Sequence, residues 1–354
     1  MIDDVFVIDA VAHGYNLGPA NQVDPRYAAA TSAQLYGLAM QFVPEGYLLP
    51  CEEWTNSADP DLVASALFAE SATDFAIYHQ VPMFGAFKDG SSPIWVGQNM
   101  RERWPGRVAL FAGVSPFLPD PVGQVDRAID EYGAIGLKLY PLELIEGHVN
   151  PFPLDDPEIA YPIYQRAVDR GIKTIAVHKA LPLGPVPLDP FRVADVEAAA
   201  IAFPQLMFQI VHGGMAFVEE TALQLARFPN ISVNLEGTTV LAVKAPRQFA
   251  AIVGSFLQLG AADRIVWATG CMAIHPRPFL EAFWRMEMPR DLVEEYGMPE
   301  LTRDIKAQIL GANAARICGI DIDAERAKAS GDEYSTLSEP RPPWSTRDLT
   351  GASA

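Results

Sequence analysis

The sequence predicts an α/β chain closed into a (β/α)₈ barrel, and three observations carry that expectation. Eight short runs rich in Val, Ile, Leu and Phe recur along the 354 residues. Segments with helical apolar spacing lie between many of them. Several runs are continuously apolar, as parallel strands covered on both faces must be, which favours a barrel over a sandwich.

The first run is Val5 to Asp9. Residues 10 to 74, its connection to the next run, are far longer than a usual βα loop and predict a lid insertion at about 14–72 over the barrel mouth. Phe75 to His79, Val108 to Val114 and Ile135 to Tyr140 follow as strands two to four, with a helix over Gln124 to Tyr132 before the fourth. The rest alternates. Ala160 to Arg170 is a helix and Lys173 to His178 a strand, Val193 to Ala202 leads to Leu206 to His212, and Phe217 to Arg227 leads to Ile231 to Leu235. Pro246 to Leu259 precedes the eighth strand, Arg264 to Thr269, and Leu301 to Cys318 closes the barrel as a helix. No repeat and no Gly/Ser linker interrupts the chain, so residues 1–322 read as one domain. Residues 323–354 are polar and proline-bearing, an extended arm or tail suited to wrapping a partner subunit.

Composition narrows the partners. With 26 Lys+Arg against 44 Asp+Glu the net charge is −18, which repels phosphate backbones and anionic membranes and argues against both as ligands. No apolar run approaches the roughly 18 residues of a membrane span, and Met1-Ile-Asp-Asp lacks the order of a signal peptide, so a cytoplasmic location is expected. Cys51, Cys271 and Cys318 are too scattered for a disulfide framework or a Cys-x-x-Cys site and read as reduced core or strand-end residues.

Chemistry on such a barrel belongs at the carboxyl ends of the strands. Four of the six histidines fall there: His13, His79, His178 and His212. Taken singly, each is most simply a hydrogen-bonded structural residue, but several on adjacent or facing strands suggest a site. Glu236, beyond strand seven, can supply a carboxylate, and Lys138, near the end of strand four, can contact an acidic substrate. Gly213 and Gly214 lack a dinucleotide frame and mark a tight turn. Cys271 reads as a buried structural thiol rather than a nucleophile, and His275 has no ligand spacing to another residue.

These segments, in this order, resemble the amidohydrolase superfamily in its hydroxyarylic acid decarboxylase branch. The carriers are Val7-Ile-Asp-Ala-Val-Ala-His13, Ala176-Val-His178, Gln209-Ile-Val-His-Gly-Gly214, Trp267-Ala-Thr-Gly-Cys-Met272 and Ile309-Leu-Gly-Ala-Asn-Ala-Ala-Arg-Ile-Cys-Gly-Ile320. The resemblance implies a metal set of which His13, His178 and His212 survive, while Val11 and Gly270 stand where two ligands, the second a strand-eight aspartate, are expected. The set is thereby vestigial. Asp9-Ala-Val-Ala-His-Gly-Tyr-Asn-Leu17 and Gln41-Phe-Val-Pro-Glu-Gly-Tyr47 are more closely similar to amidohydrolase-like proteins encoded beside bacterial binuclear iron monooxygenases that oxidise propane, acetone or phenol. That implies a metal-free, non-catalytic homodimer that assists maturation of the oxygenase subunit alongside a chaperonin. The alternative is a zinc-dependent hydrolase or non-oxidative decarboxylase of a small carboxylated or aromatic compound, with His212, Glu236 and Lys138 as working residues. Metal-free lactone hydrolysis is a third reading.

Overall fold

The computed structural model describes residues 2–347. Ten strands form in chain order: β1 (Ile8–Ala12), β2 (Phe75–His79), β3 (Val108–Gly113), β4 (Gly136–Leu139), β5 (Leu142–Ile145), β6 (His148–Pro151), β7 (Thr174–His178), β8 (Met207–Val211), β9 (Ile231–Asn234) and β10 (Ile265–Val266). β5 and β6 make an antiparallel hairpin that the sequence reading did not foresee. The other eight run parallel in the order β1-β2-β3-β4-β7-β8-β9-β10, the expected barrel. Closure between β10 and β1 is irregular: the Ala10 amide donates to Trp267 O at 3.1 Å and the Gly270 amide to Val11 O at 2.9 Å. Asp9 bolts the same seam, its carboxylate accepting from the Thr269 amide at 2.9 Å and from the Thr269 hydroxyl.

Strand one lies three residues later than expected, over Ile8–Ala12 rather than Val5 to Asp9, because the alternation that matters continues to the mouth. Alternate residues of each strand face the barrel interior. Ile8 and Ala10, Phe75 and Ile77, Ala109 and Phe111, and Val266 and Ala268 share one buried inner cluster. The same alternation carries His79, Lys138, His178 and Glu236 to the inner face at the carboxyl ends as a buried polar layer.

The expected helices form with small boundary shifts, as Pro121–Asp130, Tyr161–Asp169, Ala194–Ala202, Val218–Arg227 and Pro246–Gln258. Leu301 to Cys318 is not one regular helix: Arg303–Ala307 and Asn313–Cys318 flank a wide turn, Gln308–Ala312. The reason is a close approach. A Cβ on Gly311 would lie 2.0 Å from the Phe6 carbonyl oxygen. Asn313 then donates to Ala262 O at 2.7 Å and Ile265 O at 2.8 Å, tying the closing helix to the last strand.

In the lid insertion α1 (Pro25–Phe42) starts at Asp24, whose carboxylate accepts from the Tyr27 amide at 2.9 Å, with Pro25 in the first turn. Cys51 opens a short helix in this lid and is exposed, contrary to its reading as a core or strand-end residue. A cysteine on a polar Cys-Glu-Glu turn has no apolar face to join. Cys271 and Cys318 are buried as expected.

The arm begins as a helix, Ile322–Ala329, and the described part folds back on its own barrel. Arg107 pairs with Asp332 at 2.7 Å, and Trp344 is buried. Glu70, fully buried before β2, gathers the end: its carboxylate accepts from Ser65 Oγ, the Trp344 and Ser345 amides, Ser345 Oγ and His275 Nε2, at 2.7–3.0 Å. Arg347 pairs with Glu53 at 3.1 Å and Asp59 at 2.7 Å, both in the lid. Positions 348–354 of the arm lie outside the described residues. Among the described residues no helix is long and apolar enough to cross a membrane.

Candidate active site

Two of the four strand-end histidines meet Glu236, and a third meets one of those two. His13 Nε2 lies 3.1 Å from Glu236 Oε1, His212 Nε2 lies 3.6 Å from Glu236 Oε2, and His212 Nε2 lies 3.3 Å from His178 Nδ1. His212 leaves the parity of its strand through a left-handed backbone, φ 65°, which re-aims its ring. The other nitrogen of each ring faces a backbone carbonyl: His13 Nδ1 to His79 O at 3.0 Å, His178 Nε2 to Leu181 O at 2.7 Å, His212 Nδ1 to Glu236 O at 3.0 Å. A carbonyl only accepts, so those nitrogens carry the protons. The nitrogens left over turn toward the carboxylate or toward one another, and each inward contact is a hydrogen bond only when it holds an additional proton.

Electrostatics set which groups charge. Burial pushes the Glu236 carboxyl upward, but His212, His13 and Lys138 together outweigh it and hold it well below the usual range. Burial draws His212 down to about 4 against the pull of Glu236. His178 falls well below its ordinary value, through burial first and the neighbouring His212 and Lys138 charges second. Glu236 is therefore the standing anion of the site.

Lys138 is 1% exposed and its Nζ has no hydrogen-bond partner. Burial lowers it to about 8, with Glu236 pulling the other way. The sequence brought His79 forward with the others, yet it stays apart. Its ring stacks on Phe111 at 4.6 Å, away from Glu236. His275 serves the fold, donating to Glu70 and accepting from the Arg277 amide at 3.3 Å. Burial pushes the Cys271 thiol well above its ordinary value, which removes it as a nucleophile.

Above this floor is an apolar cavity of about 90 Å³, lined by His13, Lys138, His178, His212 and Glu236 below and by Leu35, Ala39 and Phe42 of α1 above. Part of the insertion, α1, thus lines the roof of the cavity. Carbonyl-pinned tautomers are what metal-ligating histidines show. Spacing is the other requirement, and among the described residues no group of three or more His, Cys, Asp or Glu is placed to hold a metal ion. The chemistry below therefore uses these side chains alone.

Gly270 explains part of this. It has φ 71°, and a Cβ there would lie 2.6 Å from Glu236 Oε1 and 3.0 Å from Glu236 Cγ. The carboxylate that the sequence misses at the end of strand eight is present one strand earlier, in the volume that a strand-eight side chain would fill. Val11 is buried among apolar neighbours and offers no lone pair.

Solved structures share the architecture. A TIM-barrel protein from Bordetella bronchiseptica is 17% identical with a TM-score of 0.64, over 91% of this chain and 100% of that one. The 5-carboxyvanillate decarboxylase of Sphingomonas paucimobilis is 15% identical with a TM-score of 0.56, over 90% and 100%. The 4-oxalomesaconate hydratase of Rhodopseudomonas palustris is 17% identical with a TM-score of 0.55, over 91% and 98%. At such identities the likeness establishes the fold alone. No curated protein matches the chain. Residues 63–320, from the lid through the closing Gly311-Ala-Asn313 helix, match the amidohydrolase family over well more than half the sequence, and with the barrel and its mouth in place the chain belongs to that family.

Proposed function

We propose that the barrel mouth is a working small-molecule site that takes a small carboxylated, largely apolar or aromatic compound and hydrolyses or decarboxylates it without a resident metal. One observation carries this reading: an unpaired, buried Lys138 facing an apolar cavity whose floor is the Glu236–histidine cluster. A buried ammonium without a partner is costly, and an entering carboxylate offsets that cost. The apolar roof selects the rest of the ligand. Glu236 and His212 then stand within reach of the reacting group as base and acid. The decarboxylase and hydratase among the structures of like fold agree with this class of substrate.

The test is binding and turnover of a panel of small carboxylated aromatics and lactones. Benzoate should bind the purified protein, and Lys138→Met should weaken it about 10–100-fold, the worth of a hydrogen bond to a charged group. Glu236→Gln should lower turnover of any accepted substrate by about 10²–10⁴-fold. If no panel member binds or turns over, the reading is wrong. Metal content is a second check. After growth with zinc, iron and manganese, mass spectrometry should find well below one equivalent bound, whereas near-stoichiometric metal lost in His212→Ala would restore the zinc-dependent alternative.

The placement of the histidines off any common ion favours a second reading, in which the chain is a homodimeric accessory protein that matures a monooxygenase oxygenase subunit together with a chaperonin. Co-expression decides it. Soluble oxygenase should then depend on this chain and be indifferent to His178→Ala and His212→Ala, and loss with either change at intact circular dichroism would count against it.

A further inference from the structure

The molecule holds two fully buried lysines in very different settings. Lys179 is neutralised: Nζ lies 2.8 Å from Asp195 and 2.9 Å from Pro190 O. Among the described residues Lys138 has neither an ion pair nor a hydrogen bond, and it lines the mouth cavity. Fold stability accounts for the first and leaves the second without a structural purpose. An amine desolvated in an apolar pocket gives up its proton more readily than a solvated one, which frees its lone pair for attack on a carbonyl carbon. Burial lowers the proton affinity of Lys138 in the same sense.

We propose that Lys138 is a Schiff-base lysine and that the compound taken by the mouth is a short 3-oxo acid. This inference rests on the small-carboxylate reading above and names its substrate class. The Lys138 amine adds to the ketone carbon to give a carbinolamine, which takes a proton on oxygen and loses water to leave an iminium. The carbon–carbon bond to the carboxylate then breaks. Carbon dioxide departs and the electron pair moves into the iminium, giving an enamine. The enamine takes one proton at carbon, and water hydrolyses the resulting iminium to the ketone and the free amine. The net change is one 3-oxo acid anion and one proton converted to one ketone and carbon dioxide, so no oxidant, reductant or metal is needed. Glu236 and His212, on the floor beside Lys138, handle the protons. The apolar lining above the floor receives the carbon chain of the acid.

The experiment uses the full chain with 3-oxobutanoate, or its product acetone, and sodium borohydride, followed by intact-mass and peptide analysis. The expected result is a single adduct equal to the ketone's mass less one oxygen, on Lys138 and not on Lys179. Lys138→Arg keeps the charge and Lys138→Met keeps an apolar filler of similar length, and both should lose the adduct while remaining folded by circular dichroism. Benzoate, which has no ketone, should bind the unmodified protein and suppress trapping. No adduct despite benzoate binding would overturn the Schiff base and leave the carboxylate site standing. Absence of both would overturn the two together, and an adduct on surface lysines that persists in Lys138→Met would also overturn it.

Discussion

Glu70→Ala is expected to lower the unfolding free energy by about 3–5 kcal/mol, the cost of removing the one anion on which a buried set of hydrogen bonds ends. Five hydrogen bonds end on this carboxylate, and three come from residues 344 and 345 of the arm. Their loss strands the Trp344 amide and the His275 ring inside the protein, where replacement by solvent is poor. Glu70→Gln keeps one acceptor oxygen and should cost less, about 1–3 kcal/mol. Acid should weaken the wild type in the same region. Burial alone would raise Glu70, but the bonds from His275, Ser345 and Ser65 more than offset it and leave it below its ordinary value. A depressed carboxyl contributes stability that is complete above its unfolded value, about 4.3, and is lost as pH falls through the folded one. His275 is also depressed, by burial first, so its share is complete above about 6.5 and declines below it. Urea denaturation at pH 7 and pH 4 measures both effects. The gap between wild type and Glu70→Ala should be full at pH 7 and smaller at pH 4, and equal stabilities at pH 7 would show that the hub holds nothing. Limited proteolysis should cut the variant within residues 330–347, because Trp344 and Arg347 fasten the arm to the lid side of the barrel.

How much of this was legible in the sequence follows from the range of the forces involved. The eight barrel strands were readable because each is a local apolar run, and their order is that of the chain. The helix Ile94–Arg103 was missed because Gly97 interrupts its pattern, and that glycine is needed where a Cβ would meet the Tyr78 ring at 2.5 Å. The helix α1 carried a readable start, Asp24-Pro25, that was passed over within a long insertion. His13, His178, His212 and Glu236 were found because strand ends in a barrel converge. The Glu70 hub was invisible, since four of its five bonds come from residues 205 and 274–275 positions away and no local pattern announces them. Gly270 was the subtlest case. The family resemblance implies an aspartate at that position, and only the third dimension shows a glutamate from the neighbouring strand in the volume that its side chain would fill.

Gly270→Asp, the change that would seem to rebuild the family's strand-eight residue, should instead destabilise the protein by about 2–4 kcal/mol. About 1–2 kcal/mol comes from placing a Cβ on a left-handed backbone. The remainder comes from the clash with Glu236, whose Oε1, Cγ and Cδ lie 2.6, 3.0 and 3.2 Å from the new Cβ. A shift of Glu236 also breaks its 3.1 Å contact with His13 and puts a second buried carboxylate beside the first. Two like charges there disfavour each other, so the pair would hold a proton that one carboxylate does not. A double-mutant cycle separates the two parts. In a Glu236→Ala background the clash and the repulsion vanish, and Gly270→Asp should cost only the backbone share, leaving a coupling energy of about 1–3 kcal/mol between the two positions. Equal costs in both backgrounds would mean that Glu236 does not occupy the strand-eight volume, and the site would then be one that has only lost a ligand. With coupling of the expected size, the aspartate and Glu236 exclude each other. The strand-eight carboxylate then becomes usable only in the double variant, and a gain of zinc binding there but not in Gly270→Asp alone is the sharpest form of the same result.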